Sequence, residues 1–423
     1  MSADPEICII GAGPGGLYAA LMLARQGIPS LVLDRASFPR PKVCGDILTS
    51  NVIRSLHALD PELLTQLQQQ DWVWELKAST FGGPDGPAIE VPFDSPTNTQ
   101  MGLPSCLSAR RIDFDAFILE YARKSPLIQI RQSVWVKSAS RKGETWNLEI
   151  ATKESTTNAQ LQFRIVIIAA GANSPLATQM VPGYHLQPKH SAVGIRTYYT
   201  NVKPGPRPDR SEFYLFERKL MPGGLYITPF SDASVNVNIV MRYDIFRKHK
   251  VNLRELLRNY LASHPELQER FREARQSAAP EGCILFFGTQ KRPISSHGCM
   301  LIGDAAGLTD ATNANGIGHA MISGKLAAET AAQALATSRS DATFLYQYDK
   351  AVYQRLQNAL LPGKIMRILF ANRISSRLSA SILKASFRRL NSKAISELVY
   401  SPSTAKTLLN PRFYLRLFSK RKP

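Results

Sequence analysis

The chain of 423 residues is 44% hydrophobic and 20% charged, which is typical of a globular protein of two or three domains and excludes a disordered chain. Its formal net charge is +19. Residues 360–423 contain fourteen lysines and arginines against the single acid Glu397, so about +13 of this charge lies in that segment. The asymmetry therefore concerns what the C-terminal segment binds rather than the chemistry of the remaining chain.

The cysteines and the apolar runs narrow the class of protein further. The five cysteines form no C-x-x-C pair and no cluster with histidine, which argues against a disulfide framework or a metal site and favours a reducing cytoplasm. The N-terminal residues lead directly into the first predicted strand, without room for a signal peptide. No apolar stretch approaches the roughly 18 residues of a membrane-spanning helix. We therefore expect a cytoplasmic protein that meets a membrane only peripherally, on its inner face.

A glycine-rich loop near the N-terminus follows an apolar run, Ile7-Cys8-Ile9-Ile10, that predicts a buried parallel strand. The loop is Gly11-Ala12-Gly13-Pro14-Gly15-Gly16, and a helical pattern extends from Leu17 to about Gln26. A second strand, Leu31-Val32-Leu33, ends at Asp34. In this arrangement the loop and the helix N-terminus bind a pyrophosphate, and the acid accepts hydrogen bonds from a ribose. The block therefore predicts a dinucleotide site.

The following elements indicate two interleaved domains. The predicted strand from Leu161 to Ile168 has the apolar end Ile165-Val166-Ile167-Ile168 and stops at the small residues Ala169-Ala170-Gly171. The strand Met300-Leu301-Ile302 likewise stops at Gly303-Asp304, as close approach of a ligand requires. A helical stretch is predicted directly after Leu48, through about Ala58. Residues 73–104 and 186–242 contain strands with turn signals, and helical patterns cover 252–262 and 265–276. The sequence thus predicts an α/β fold, with a Rossmann-type nucleotide-binding domain interleaved with an antiparallel-sheet substrate domain, plus a helical basic C-terminal region. The predicted ranges are 1–78, 105–185 and 280–336 for the nucleotide-binding domain, 79–104 and 186–279 for the substrate domain, and 337–423 for the C-terminal region.

Several further motifs carry a resemblance to a known family. They are Lys42-x-Cys44-Gly45-Asp46, Arg111-x-x-Phe114-Asp115, Glu212-Phe213-Tyr214 with residues 222–229, and the run from Asn315-Gly316-Ile317 to Glu329. With the glycine-rich loop and Gly303-Asp304, they resemble the geranylgeranyl reductase family, which has the p-hydroxybenzoate-hydroxylase-like fold. The resemblance implies an FAD-dependent oxidoreductase.

The motifs and the resemblance together give a set of candidate site residues. Those expected to bind FAD are Gly11, Gly13, Pro14, Gly15, Gly16, Asp34, Arg35, Cys44, Gly45, Ile47, Arg111, Val136, Gly171, Gly303, Asp304, Gly316 and Ile317. The candidate catalytic residues are Cys44, Asp46 and Asp310. Cys44 is either a reactive thiol beside the flavin or a small residue in a tight loop. Asp46 and Asp310 are either proton sources or, respectively, a helix cap and a loop acid. His319 is expected to be a packing residue.

The resemblance also implies a substrate and an electron donor. The implied reaction reduces C=C bonds of an isoprenoid or similar lipid chain, with NAD(P)H or ferredoxin as donor. The chain departs from the family pattern at residues 310–316, at Tyr226 and at Thr228, where the family has a proline with Gly-x-Gly, a tryptophan and a phenylalanine. An FAD-dependent monooxygenase of an aromatic or lipid substrate is therefore the alternative.

The basic C-terminal segment is predicted to form an amphipathic helix. Its residues Arg373, Arg377, Lys384 and Arg388 share one helical face, and the apolar residues Ile365, Leu369, Leu383, Phe387 and Leu390 share another. This pattern favours a partner with an anionic membrane surface, and a solvated basic face is the alternative. No nucleic-acid-binding module accompanies the charge, so nucleic acid is not expected as a partner.

Overall fold

The computed structural model describes residues 5–369 apart from 84–85, 94, 153–158, 173, 206, 218–219 and 221–222. Its strands are β1 Ile7–Ile10, β2 Ser30–Leu33, β3 Ile47–Thr49, β4 Trp74–Glu75, β5 Ala78–Gly83, β6 Gly86–Pro92, β7 Cys106–Ser108, β8 Ile128–Arg131, β9 Val134–Lys142, β10 Thr145–Thr152, β11 Ala159–Phe163, β12 Ile165–Ile168, β13 Ser191–Thr200, β14 Arg210–Leu215, β15 Gly223–Pro229, β16 Val235–Arg242, β17 Arg275–Gln276, β18 Glu281–Phe286, β19 Ser295–Ser296 and β20 Cys299–Leu301. Its helices are α1 Pro14–Ala24, α2 Ser50–Leu59, α3 Pro61–Gln68, α4 Pro96–Gln100, α5 Arg111–Arg123, α6 Pro175–Met180, α7 Tyr243–His249, α8 Leu253–Ser263, α9 Pro265–Arg270, α10 Ile317–Ala336 and α11 Ala342–Leu369, with 3-10 turns at Pro188–His190 and Gly303–Ala306.

A six-stranded sheet in the order β19-β20-β12-β1-β2-β8 forms the nucleotide-binding half. Strand β1 pairs in parallel with β2 and β12, and all three are completely buried, as their apolar runs predicted. Helix α1 begins at Pro14, three residues before the predicted start. A proline is tolerated in the first turn of a helix, because the N–H that it lacks would have no hydrogen-bond partner within the helix. Helices α1 and α10 pack closely, since a Cβ on Gly15 would lie 2.9 Å from the Cβ of Ala320.

A second sheet, in the order β17-β13-β16-β15-β14-β5-β6 with β18 beside β13, forms the other half. Its pairs are antiparallel apart from β5 with β14. Two separated parts of the sequence therefore join in one sheet, and the predicted α/β fold with an interleaved antiparallel sheet is confirmed. Strand β18, however, belongs to this sheet, although the prediction placed residues 280–336 in the nucleotide-binding domain. The domain limits themselves stay a prediction.

Three local expectations differ from the structure. The predicted strand from Leu161 to Ile168 is divided, because Arg164 separates β11, in a three-stranded meander with β9 and β10, from β12 in the parallel sheet. Residues 47–49 form β3 before α2 begins. The predicted helix over 265–276 ends at Arg270, and residues 275–276 pair instead with β13.

Helix α11, the first part of the predicted C-terminal region, packs on the nucleotide-binding half. The Tyr348 hydroxyl donates to the carbonyl of Leu301 at 2.6 Å, and the Asp349 carboxylate accepts from the amide of Ile294 at 3.0 Å. No helix within the described ranges is long and apolar enough to cross a membrane. The residues from Arg373 to Arg388 that carry the predicted amphipathic pattern lie outside the described residues.

Candidate active site

One large cavity lies between the two halves. Its volume of about 1360 Å³ exceeds the roughly 300–1,000 Å³ of a pocket for one drug-sized ligand, so it can hold a cofactor and a second ligand. The candidate residues that line it are Gly11, Gly13, Pro14, Gly15, Gly16, Asp34, Arg35, Cys44, Gly45, Ile47, Arg111, Val136, Gly171, Gly303, Asp304, Asp310, Gly316 and Ile317. Asp46 is not among the residues that line it.

The glycine-rich loop has the close packing that its sequence predicted. Gly11 has φ of +112°, and a Cβ there would lie 2.5 Å from the carbonyl oxygen of Ala169. A Cβ on Gly16 would lie only 1.9 Å from the carbonyl oxygen of Gly11. Around Gly13, by contrast, the nearest atom to an added Cβ is Nη2 of Arg40 at 3.9 Å. The open space at Gly13, beside a helix N-terminus and a guanidinium, fits a pyrophosphate.

Asp34 orders this loop and still has acceptor capacity. Its Oδ2 accepts from the amide of Ala12 at 2.7 Å, and its Oδ1 accepts from the amide of Ala36 at 2.9 Å. Nη2 of Arg40 lies 3.9 Å from Oδ2. Because a carboxylate offers about four lone-pair sites, the two amides leave room for the predicted ribose hydroxyls.

A buried ion cluster supports the loop from the side of α5. Arg111 donates to Asp115 through Nε at 2.6 Å and through Nη2 at 2.7 Å, and Nη1 of Arg40 lies 3.3 Å from the same carboxylate. Burial lowers the pKa of Arg111, but the attraction of the Asp115 carboxylate is the larger effect, so the pKa of Arg111 is raised. Two guanidinium groups thus share the Asp115 carboxylate, which fixes both of them at the edge of the loop. The sequence prediction missed the role of Asp115, although its spacing of four from Arg111 on a helix signals the ion pair.

The predicted catalytic thiol, Cys44, lies beside this cluster. Burial raises the pKa of Cys44, and the nearby charge of Arg111 opposes that shift without cancelling it. Because the thiolate is the nucleophilic form, a raised pKa favours the interpretation of Cys44 as a small residue in a tight loop. The carbonyl of Cys44 accepts from Nδ2 of Asn236 on β16 at 2.9 Å.

Asp46 lies behind the cavity wall, at the contact with the second sheet. It has φ of +59° and is fully buried. Its Oδ2 accepts from the Tyr198 hydroxyl at 2.7 Å and from Nδ2 of Asn236 at 2.8 Å. Burial raises the pKa of Asp46 to about 6, while these two hydrogen bonds oppose the shift. This placement gives no direct path for a proton from Asp46 to a ligand in the cavity, and it is not the predicted helix cap, because α2 begins after Thr49.

Asp310 and His319 lie on the cavity wall at the start of α10. Oδ1 of Asp310 accepts from the amide and the hydroxyl of Thr312 at 2.7 and 2.6 Å. Burial raises the pKa of Asp310, and the charge of His319 opposes the shift. Nδ1 of His319 donates to the carbonyl of Leu308 at 2.8 Å, whereas its buried Nε2 has no partner among the described residues. His319 is therefore fixed by packing, as predicted, but it also presents an acceptor nitrogen near a buried acid.

The N-terminus of α10 closes the nucleotide side of the cavity. Asp304 accepts from the Thr309 hydroxyl at 2.9 Å, and a Cβ on Gly316 would lie 3.4 Å from the same Asp304 oxygen. Helix α10 then extends for 20 residues from Ile317. Its free N–H groups and partial positive charge can stabilise negative charge at that edge of the cavity, by about 0.3–2 kcal/mol.

The opposite wall of the cavity is aromatic and belongs to the second sheet. Phe213 stacks on Tyr226 with 4.2 Å between ring centroids, and Phe81 meets Phe213 edge-on at 5.5 Å. Thr228, one of the departures from the family pattern, is fully buried and lines the same cavity. The ring surface of Phe81, Phe213 and Tyr226 suits an apolar ligand.

The residues on the nucleotide side fit FAD. The space at Gly13 and the guanidinium of Arg40 suit the pyrophosphate, and Asp34 suits the ribose. The N-terminus of α10, with Gly316 and Ile317, suits the electron-rich edge of a reduced flavin.

Comparisons with known proteins identify the family of the chain. The model of a family described as FAD binding domain matches residues 4–359. The menaquinone reductase of Mycobacterium tuberculosis (strain CDC 1551 / Oshkosh) is 27% identical over 339 residues, which cover 78% of this chain and 77% of the relative. Digeranylgeranylglycerophospholipid reductase 2 of Methanopyrus kandleri is 25% identical over 410 residues, which cover 95% of this chain and 94% of the relative. The crystal structure of a geranylgeranyl bacteriochlorophyll reductase-like protein from Thermoplasma acidophilum has a TM-score of 0.72 at 19% identity, covering 99% of this chain and 96% of that one.

Proposed function

Because the chain belongs to the FAD-binding domain family, we propose that this FAD-dependent oxidoreductase reduces C=C bonds of an isoprenoid lipid chain by hydride transfer from reduced FAD. The names of two relatives, a menaquinone reductase and a digeranylgeranylglycerophospholipid reductase, support an isoprenoid substrate. The observation that carries the proposal is the continuity of the cavity. One volume joins the glycine-rich loop to the aromatic wall of Phe81, Phe213 and Tyr226.

The aromatic wall positions the alkene. Phe213 and Tyr226 lie face to face on neighbouring strands β14 and β15, so both rings are held by the sheet. An apolar chain against them displaces water from the cavity, which protects the hydride from side reactions and fixes the double bond for reaction. Thr228 provides a smaller side chain than the phenylalanine of the family pattern, which leaves more space for the substrate.

The reaction also needs a proton, and we propose Asp310 as its donor. This acid lines the cavity, and burial raises its pKa, which favours the protonated form that a general acid needs. Cys44 and Asp46, the other predicted catalytic residues, have weaker support, because the thiol is held neutral and Asp46 does not line the cavity.

The proposal includes the partners that the sequence predicted. NAD(P)H or a ferredoxin reduces the flavin, and the basic segment after residue 360 holds a cytoplasmic protein on the anionic inner face of the membrane. The charge of about +13 in that segment supports the second point, since anionic lipids attract basic segments.

The decisive experiment follows the reduced flavin. The purified, FAD-loaded protein is reduced anaerobically with dithionite, and the visible flavin absorbance is recorded after addition of a polyprenyl lipid. We expect reoxidation without oxygen and a product heavier by two hydrogens. Asp310→Asn should be reduced by dithionite as well as wild type but reoxidised by the lipid roughly 10²–10⁴ times more slowly.

Two outcomes would count against this proposal. If the lipid leaves the flavin reduced, and air yields an oxygenated lipid or aromatic product, the FAD-dependent monooxygenase replaces the reductase. If Asp310→Asn reacts at the wild-type rate, another group supplies the proton.

A further inference from the structure

Two arginines line the same cavity without an acidic partner. Arg54 extends from α2 and Arg355 from α11, and both belong to the cavity wall. Arg54 is half-buried, whereas Arg355 is exposed, which places the pair where the cavity opens to solvent. The two charges repel each other: burial and the charge of Arg355 both lower the pKa of Arg54.

Within the described part of the chain, the side chain of Arg54 is held in place by neutral groups. Its Nη1 donates to the hydroxyl of Ser95 at 3.1 Å and to Oδ1 of Asn98, and its Nη2 donates to Oδ1 of Asn51. Across the described ranges, neither Arg54 nor Arg355 has a carboxylate oxygen within 4.0 Å. The guanidinium of Arg54 is thus oriented without being neutralised.

Two other largely enclosed arginines do have an acidic partner, whereas the buried Arg292 donates to the carbonyl of Phe287 and has no carboxylate partner among the described residues. Arg111 forms a bidentate pair with Asp115, and Arg270 forms one with Glu212 at 2.6 and 2.8 Å. Arg54 is half-buried and lies near the second positive charge of Arg355, so this part of the cavity wall is suited to an anionic ligand. The planar guanidinium fork matches the oxygens of a phosphate in particular.

The anion is not the cofactor's own pyrophosphate. That group has its site at Gly13, Arg40 and the N-terminus of α1. Arg54 is instead anchored to residues 95–98, which precede β7 in the inserted segment, and Arg355 belongs to α11. The mouth of the cavity is where the polar end of a lipid remains when its chain lies against the aromatic wall.

We propose that Arg54 and Arg355 bind the phosphate of the substrate's head group at the cavity mouth, while its prenyl chain lies against the aromatic wall. This inference rests on the proposed function and narrows its substrate class. The substrate is then a phosphorylated isoprenoid lipid, and a neutral isoprenoid quinone would leave the two charges without a partner.

The test measures binding independently of turnover. Oxidised, FAD-loaded protein in a neutral detergent is titrated with a prenylated glycerol phosphate lipid and, separately, with the same lipid without its phosphate. The proteins are wild type, Arg54→Gln, Arg355→Gln and the control Arg123→Gln, whose side chain is exposed and pairs with Glu120. Inorganic phosphate, added as a competitor, separates binding of a free phosphate from binding of a head group.

We expect wild type and the control to bind the phosphorylated lipid about tenfold to a hundredfold more tightly than the dephosphorylated one, with a preference that weakens at high salt. Each of the other two variants should lose most of that preference and keep its FAD. Equal binding of both lipids by wild type, or a preference that persists in both variants, would overturn the proposal. Inorganic phosphate binding that is lost in both arginine variants but does not displace the lipid would also overturn it, since the two arginines would then bind free phosphate and not the head group. If the lipid binds as expected but never reoxidises the flavin, the proposed function fails and the phosphate site stands.

Discussion

The buried carboxyl group of Asp46 makes the stability of the protein depend on pH in an unusual direction. Its carboxylate is enclosed by Tyr198 and Asn236, and its Oδ1 has no partner among the described residues. Burial raises the pKa from the ordinary value of 3.8 to about 6. The folded protein therefore binds this proton more tightly than the unfolded chain, and the free energy of unfolding falls as pH rises from about 4 to 6. Most surface carboxylates contribute in the opposite direction.

The size of the effect follows from the difference in pKa. About two pKa units, at 1.36 kcal/mol each, give roughly 3 kcal/mol between full protonation and full ionisation. On going from pH 5 to pH 8, ionisation of Asp46 lowers the free energy of unfolding by about 1.4 kcal/mol of that total. Asn at position 46 keeps the shape, accepts from Tyr198 and tolerates the φ of +59°. The stability of Asp46→Asn relative to wild type should therefore be about 1.4 kcal/mol more favourable at pH 8 than at pH 5.

Urea denaturation of both proteins at the two pH values, in the same excess of FAD, measures this difference. Asp60→Asn is the matched control. Asp60 accepts from the Tyr121 hydroxyl and from the amide of Glu62, and these hydrogen bonds lower its pKa. Its pKa lies below 3.8, so its stabilising contribution is lost only as pH falls below about 4, and the relative stability of the control should be the same at pH 8 and at pH 5. A relative stability of Asp46→Asn that is the same at both pH values would refute the reasoning.

Two further predictions concern the glycine-rich loop and the basic segment. Gly16→Ala should lower the free energy of unfolding of the FAD-free protein by about 1–3 kcal/mol and abolish FAD binding, because its Cβ would lie 1.9 Å from the Gly11 carbonyl oxygen. Gly13→Ala should weaken FAD binding, measured by retained flavin, and leave the melting temperature of the FAD-free protein unchanged. If Gly13→Ala lowered the stability of the FAD-free protein as much as Gly16→Ala does, the role given to Gly13 would be contradicted. Deletion of residues 370–423 should abolish co-sedimentation with anionic liposomes at low salt, whereas unchanged sedimentation would favour a solvated basic face.

The parts of the site that are contiguous in sequence could be predicted, because their geometry is local. The turn at Gly11, the packing at Gly16 and the hydrogen bonds of Asp34 depend on residues within one strand–loop–helix unit, and the pattern predicted them. The surroundings of Asp46 could not be predicted in this way. Its partners Tyr198 and Asn236 are 152 and 190 residues distant in sequence, and only the folded second sheet brings them to the loop.

The same limit explains the misassigned strands. Residues 161–168 contain no turn residue and can form one strand by their pattern, which contains no information on which sheet each half joins. The structure divides them because the amides of Arg164 and Ile165 both donate to the carbonyl of Glu6, which redirects the chain into the parallel sheet. Strand β18 was assigned to the wrong half for a related reason, since only its pairing with β13 reveals its sheet.

The loop that contains Cys44 links the two halves of the protein. Nη2 of Arg196 donates to the carbonyl of Lys42 at 3.2 Å, and Nδ2 of Asn236 donates to the carbonyl of Cys44 and to the carboxylate of Asp46. This part of the cavity wall is thus held by side chains of β13 and β16, which belong to the sheet that also supplies the aromatic wall. The second sheet therefore supports both sides of the cavity. Its polar residues set the shape of the cofactor site, so substitutions there should change flavin binding as well as substrate affinity.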